Sequence, residues 1–427
     1  MLHDPLFTTV ILIPEELDIS LQEWHDMPLL DFTRNVGLLR KHIINNVLNQ
    51  GHDFFSGNFT LEQINGTLQR LNSEGNVTFR ERPILSYHAK QPEYWSGLIA
   101  YNSQMTRGLN CWFPERARAK GSGGFSITDQ FYDEKQFYTN VHAIIKKDRF
   151  KFLDNNSKRS LSKIIRSGLR LVNGNQPINN FPANLAKWIY CKAAQKHGEL
   201  NDFWIYDQSM GYAGRLGGAL AAANSDHLQN TRIHYYGTDV HKAINERYEM
   251  IRSYWEEYIN PNLDFDLYAS VTPAESIFDD IKFAELKGCF DMSFTSPPYF
   301  NRENYSVDPE QSCHRYDTYD DGTINSWKYG FLQRMIQNTY ELLKDGGEMW
   351  INIADLKRQT GASPKYLPLQ KDTIDLARKA GFTFKRRYKI LMAMHHNPEK
   401  SGGELSYNHI RVKGKLHKYE PLYVFIT

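Results

Sequence analysis

The 427-residue chain lacks any apolar run of about 18 residues, so no segment is long enough to cross a bilayer as a helix. Its N-terminus also lacks a basic segment followed by a long apolar one, and a secretory leader is not expected. Cysteine is scarce. Cys111, Cys191, Cys289 and Cys313 stand far apart, with no Cys-x-x-Cys pair and no histidine at zinc-ligand spacing. That argues against both a disulfide framework and a structural metal, and a reducing cytoplasm is the compartment such a chain suits. A large excess of one charge is missing as well. With 51 basic and 49 acidic residues the net charge is +2, so a nucleic-acid surface, if present, has to be local. The length exceeds the usual size of one core, and a soluble enzyme of two domains is the expectation.

What is present centres on Asp291-Met-Ser-Phe-Thr-Ser-Pro-Pro-Tyr-Phe300, an apolar strand delivering Ser296, Pro297, Pro298 and Tyr299 to its end. Adjacent prolines cannot continue a strand and remove two N–H donors, so the backbone leaves the sheet with carbonyls free to accept. A side-chain oxygen, a bare carbonyl and an aromatic face within four residues suit a planar ring bearing an NH₂. An exocyclic nucleobase amine fits. Accepting its two hydrogens on Ser296 and the neighbouring carbonyl would free its delocalised lone pair for an electrophile such as a methyl donor. Ser296 and the Pro297 carbonyl are the candidate orienting groups, with Tyr299 and Phe300 as candidate stacking surfaces. The bland alternative is an ordinary strand-to-loop exit.

Beyond Asn173-Gly-Asn-Gln-Pro177, strand and helix patterns alternate to the C-terminus, which places a domain boundary near residue 172 and an α/β domain over 173–427. Phe203–Tyr206 reads as a buried strand ending at Asp207. The Gly-rich turn through Gly211 and Gly214 follows, where small residues let backbone approach a ligand. The next strand, Ile233 to Gly237, leads to Asp239, about 25 residues beyond Gly214, where a carboxylate can accept from ribose hydroxyls or cap the following helix. Glu275 follows a third strand, Leu263–Tyr268, and either lines an adenine or lies exposed on a turn. Glu348–Ala354, Tyr388–Met394 and Leu422–Ile426 complete the strand set.

The first 172 residues have another character. Leu6–Ile13 reads as a strand, Asp31–Gln50 as a helix capped by Asp31, and Thr60-Leu-Glu-Gln63 as a capping box opening a second helix ahead of Val77–Phe79. These elements make either a helical packing layer or a small winged helix. Between Arg107 and Arg170, basic residues including Arg116, Arg118, Lys146, Lys147 and Arg149 alternate with aromatics such as Trp112, Phe113, Phe131 and Phe137. The mixture suits phosphate neutralisation and base stacking, or else a solvated face over an aromatic core.

Taken together, residues 173–427 resemble the catalytic domain of the S-adenosylmethionine-dependent DNA amino-methyltransferases, which methylate N4 of cytosine or N6 of adenine. Thr-Ser-Pro-Pro-Tyr is similar to their catalytic motif IV, Asp207 to Gly214 to their cofactor motif, Asp239 to their ribose-binding acid, and Asn180-Phe181-Pro182 to their aromatic cofactor motif. The resemblance implies a Rossmann-like, seven-stranded, mostly parallel methyltransferase sheet with a reversed C-terminal strand, and an N-terminal α+β accessory domain for target recognition. It implies S-adenosylmethionine as cofactor, DNA as partner with its target base flipped out, and no metal. Ser at the head of the motif resembles the cytosine-N4 enzymes, with adenine N6 as the alternative. Whether a restriction endonuclease accompanies the protein is not readable.

One departure stands out. Ala213 occupies the family's second turn glycine, and since Ala disfavours positive φ, a shifted or helical turn is expected. A vestigial, nucleic-acid-binding protein therefore remains an alternative, as does an enzyme acting on RNA or on a protein glutamine.

Overall fold

The computed structural model describes residues 20–46, 48–50, 54–55, 60–75, 77–80, 84–88, 91–121, 124–149, 161–171, 178–197, 200–357, 366–394, 409–412 and 415–427. The expected strand at Leu6–Ile13 and turn at Asn173–Pro177 lie outside them. The chain divides into two compact units, each assembled from separate stretches. One comprises residues 1–66, 107–179 and 303–307, and the other 67–106, 180–302 and 308–427.

The smaller unit is helical. Its helix α1 (Leu29–Asn46) starts two residues before the sequence reading, so Asp31 lies in the first turn, not at the cap. Phe32, Val36, Leu39 and Ile43 form its buried stripe. They pack with Phe131, Phe137 and Val141, Ile144 from α2 (Glu134–Ile145), and with Ile164, Ile165 and Leu169 from α3 (Leu161–Leu171). Aromatics expected to stack on bases are therefore core: Phe131 and Phe137 lie in this cluster, and Trp112 and Phe113 are also buried. Burying a large ring removes so much apolar surface from water that packing outcompetes exposure. Phe125 and Tyr132 remain exposed.

The larger unit is built on a ten-stranded sheet. In chain order its strands are β1 (Val77–Arg80), β2 (Gly97–Tyr101), β3 (Asp202–Asp207), β4 (Arg232–Thr238), β5 (Phe265–Ser270), β6 (Phe290–Thr295), β7 (Leu343–Asn352), β8 (Thr383–Met394), β9 (His409–Val412) and β10 (Lys415–Ile426). Across the sheet the order is β1-β2-β8-β10-β7-β6-β3-β4-β5, with β9 on β10. From β8 to β5 this is the expected Rossmann-like, seven-stranded sheet. Strands β5, β4, β3, β6 and β7 are parallel, and the C-terminal β10 runs antiparallel between β7 and β8. All six residues of β6 are buried, as both faces of a parallel sheet require. Phe294 and Tyr235 meet Tyr190 of α4 (Ala183–Ala194) on one face, while Tyr206 and Tyr236 meet Phe283 on the other.

Two features were not expected. The line at residue 172 puts β1 and β2 in the N-terminal region, yet β2 pairs in parallel with β8, almost 300 residues later, and β1 extends that edge. With Val77–Arg80 in this sheet, the helix Leu61–Ser73 and its strand form no self-contained winged helix, although Thr60 and Gln63 do make the reciprocal cap. Residues 303–307, just after the catalytic-motif stretch, belong to the smaller unit, where Asn304 and Lys120 exchange backbone hydrogen bonds of 2.8 and 2.9 Å.

Candidate active site at the carboxyl ends of the parallel strands

Ligands in open α/β sheets bind beyond the carboxyl ends of the strands, and this chain places Asp207, Asp239, Ser296 and Asn352 there, after or at the ends of β3, β4, β6 and β7. After β3 the backbone turns through two positive-φ residues, Gly211 (φ 55°) and Ala213 (φ 59°), before α5 (Gly214–Ala222). The turn is thus neither shifted nor helical at Ala213. The alanine adopts the left-handed conformation that glycine would take freely, at a cost of about 1–2 kcal/mol, and such strain concentrates at functional sites. Gly214 is required for contact: a Cβ there would lie 2.1 Å from the Phe181 carbonyl oxygen. The Asn180-Phe181 strap thereby rests on the turn, with the Asn180 amide donating to the Tyr212 carbonyl at 2.5 Å. The Phe181 ring stands edge-on to Phe294 of β6, centroids 5.1 Å apart.

The two acids at the strand ends have different tasks. Asp207 is fully buried, and its carboxylate accepts from Arg215 Nε at 3.1 and 3.0 Å and from the Tyr235 hydroxyl at 2.5 Å. Its Oδ1 also accepts the Ser209 N–H at 3.1 Å, so the side chain expected at the cofactor is engaged in bracing the turn. Asp239 is half-buried; its Oδ2 accepts the Gly211 N–H at 2.7 Å and its Oδ1 the His241 N–H at 2.9 Å. Each oxygen retains a further lone pair for a ribose hydroxyl. Burial pushes this carboxyl above the usual aspartate range, with those two amides pulling it back. Glu275 is buried, not exposed on a turn, and accepts from Arg315 Nη1 at 2.9 Å. Burial raises its pKa while Arg315 opposes the shift.

At the end of β6, the Ser296 hydroxyl donates to Asn352 Oδ1 at 3.3 Å, and the Tyr299 hydroxyl donates to the Asn352 carbonyl at 3.4 Å. Asn352 was missed in the sequence, although a polar residue closing the apolar run Met349–Ile351 was the available signal. Its own amide donates to the Pro421 carbonyl at 2.8 Å, which turns its oxygen toward Ser296. A hydroxyl has one hydrogen. With that hydrogen committed to Asn352, Ser296 Oγ can only accept from whatever lies beyond it. The Pro298 carbonyl accepts the Phe300 N–H at 3.2 Å, while the Pro297 carbonyl takes no hydrogen bond from the described residues. Ser296 Oγ thus offers an acceptor next to the half-buried Tyr299. Phe300, expected to stack on a ligand, instead has its ring buried near Tyr319 and Trp327.

The basic residues also separate. Lys146 Nζ donates to the backbone carbonyls of His25 and Met27, and Arg116 Nη2 to that of Ile178 at 3.2 Å. Arg118, Lys147 and Arg149 are exposed. Among the described residues, no group of three or more His, Cys, Asp or Glu side chains could hold a metal, and no helix is long and apolar enough to cross a membrane.

No protein-family model and no curated protein matches the sequence. Among solved structures, the chain is similar to an S-adenosylmethionine-dependent methyltransferase from Mesorhizobium loti at 10% identity and a TM-score of 0.29, covering 57% of this chain and 98% of that one. It is similar to the YcgJ protein from Bacillus subtilis at 12% identity and a TM-score of 0.32, again covering 57% and 98%. A geranyl diphosphate methyltransferase in complex with GPP and sinefungin gives 11% identity and a TM-score of 0.32 over 57% of this chain and 78% of that one. These scores are too low to carry a functional inference.

Proposed function

We propose that the chain transfers a methyl group from S-adenosylmethionine to the exocyclic amine of a flipped-out DNA base, N4 of cytosine in preference to N6 of adenine. The observation that carries this reading is the fixed polarity of Ser296. Because Asn352 takes its hydrogen, Ser296 Oγ and the Pro297 carbonyl form a pair of acceptors on which the two hydrogens of an NH₂ can rest. Holding both hydrogens draws the amine toward a pyramidal geometry and localises its lone pair, while Tyr299 offers a face to the base. The turn from Gly211 to Gly214 and the two lone pairs left on Asp239 suit a nucleoside cofactor, with Phe181 beside them. When bound, S-adenosylmethionine would supply the electrophilic methyl. Arg118, Lys147 and Arg149 are the proposed phosphate contacts.

Incubating the protein with labelled S-adenosylmethionine and, in parallel, unmodified genomic DNA, total RNA or a protein mixture tests the assignment. Label in DNA alone is the expected result. Label in RNA alone or on protein glutamine would move the substrate class while keeping the acceptor pair, and no transfer in any arm would overturn the reading.

A further inference from the structure

Tyr299 can stack on a base only if the loop after two prolines holds its ring in one plane. The next residue, Phe300, has φ of 49°, one of three positive-φ residues other than glycine among those described. Side-chain-bearing residues rarely adopt that conformation, and they keep it where surrounding structure enforces it. Here the enforcing contact is the ring. Phe300 is 7% exposed, with its ring centroid 5.8 Å from Tyr319 and 6.3 Å from Trp327. Those two rings stack on each other at 5.8 Å with an interplanar angle of 22°. They are themselves tied down. The Tyr319 hydroxyl donates to the buried Asp372 at 2.6 Å, Lys328 Nζ reaches Asp372 at 3.2 Å and Asp320 at 2.9 Å, and the Trp327 and Lys328 N–H groups donate to the Thr318 and Tyr319 carbonyls. Trp327 opens a π-helical turn through Gln333, a rare geometry that recurs at functional sites.

We propose that Phe300 is a positioning residue: its ring, seated against Tyr319 and Trp327, fixes the left-handed turn that sets the plane of Tyr299. The inference rests on the proposed methyl transfer and deepens it. Phe300 acts through its neighbour and touches no substrate. Losing the ring lets φ relax to negative values and swings Tyr299 out of register with the acceptor pair, while the Asp239 side of the site is left as it was.

Three variants test this, with tritium transfer to genomic DNA as the activity and calorimetry with S-adenosylhomocysteine as the control. Phe300→Ala should lower kcat/KM for DNA about 100-fold, the scale of a small misplacement of a reacting group, with cofactor-product affinity unchanged. Phe300→Gly is free to keep φ positive, yet should lose as much, because the anchor and not the turn alone is at issue. Phe300→Leu, which refills part of the pocket, should restore most of the activity. Wild-type turnover in Phe300→Ala or Phe300→Gly would overturn the proposal. Should these variants fail to fold, Tyr319→Phe keeps every ring and removes only the bond to Asp372; it should lower turnover about tenfold, and unchanged turnover would count against the anchor. A crystal structure of Phe300→Ala separates this inference from the reading beneath it. Tyr299 left in place overturns the anchor whatever the substrate, whereas a displaced Tyr299 supports it even if wild-type protein methylates no DNA.

Discussion

The strand ends of the sheet unit and the basic stretch of the helical unit were both rich in suggestive residues, and the structure treats them differently. At the strand ends, Gly211, Asp239, Ser296 and Tyr299 occupy positions a sheet fixes in advance, because each follows a parallel strand whose register is set by burial. In the helical unit the signal was compositional, and composition does not say which face of a helix a residue takes. Phe131 and Phe137 became core, Lys146 a helix-end donor, and Lys147 and Arg149 surface charges. Position after a strand therefore says where a side chain will lie better than a mixture of residue types does.

That comparison can be broken most forcibly at Asp207, which is conspicuous in the sequence but structural in its contacts. Asp207→Ala leaves Arg215 buried without its partner, and should destabilise the fold by about 3–5 kcal/mol, read as a lowered midpoint in urea unfolding. A variant that unfolds like wild type but loses cofactor binding would return Asp207 to the ligand. Next in size, Ser296→Ala removes one of the two acceptors and should reduce turnover about 100-fold, with cofactor affinity intact by calorimetry; an equal loss of both would place Ser296 in the cofactor pocket.

Asp239→Ala should do the reverse, weakening cofactor binding by about 1.5–3 kcal/mol with stacking at Tyr299 preserved. The same group gives a pH dependence with a definite sign. Its carboxyl is raised above the usual aspartate range, chiefly by burial, and only its ionised form can accept two ribose hydroxyls. Affinity should therefore be complete above the raised pKa and fall as pH drops through it, and a titration flat across the carboxylate range would remove Asp239 from the ribose. Smallest is the effect in the helical unit. Ala at Arg118, Lys147 or Arg149 should each lower the log–log salt slope of DNA binding by about 1, whereas Lys146→Ala should leave the slope unchanged and cost about 1 kcal/mol of stability through its lost carbonyl contacts.

How much of this was legible depended on sequence distance. The β3 turn, Asp239 and Ser-Pro-Pro-Tyr are local patterns and could be read directly. The pairing of β2 with β8 could not, since Leu98 and Lys389 meet with no local feature announcing it. Asn352 was hidden for a related reason: its meaning lies in facing Ser296 across 56 residues. At Ala213 the sequence predicts a shifted or helical turn, and the structure has a positive φ instead, because the packing of Asn180 and Phe181 on Gly214 holds the turn more firmly than one alanine resists it. Phe300 followed an aromatic and was read as a second stacking ring; its positive φ turns it into the core instead.

The central claim is that Ser296 and the Pro297 carbonyl receive the two hydrogens of a base amine. It is tested most directly by treating DNA with wild-type protein and with Ser296→Ala, digesting both to nucleosides and identifying the methylated species by mass and co-elution with standards. N4-methylcytosine from the wild type, reduced about 100-fold in the variant, is the predicted result. N6-methyladenine would change the base and keep the claim; methylation at a ring carbon, or an amine product formed equally well without the Ser296 hydroxyl, would contradict it.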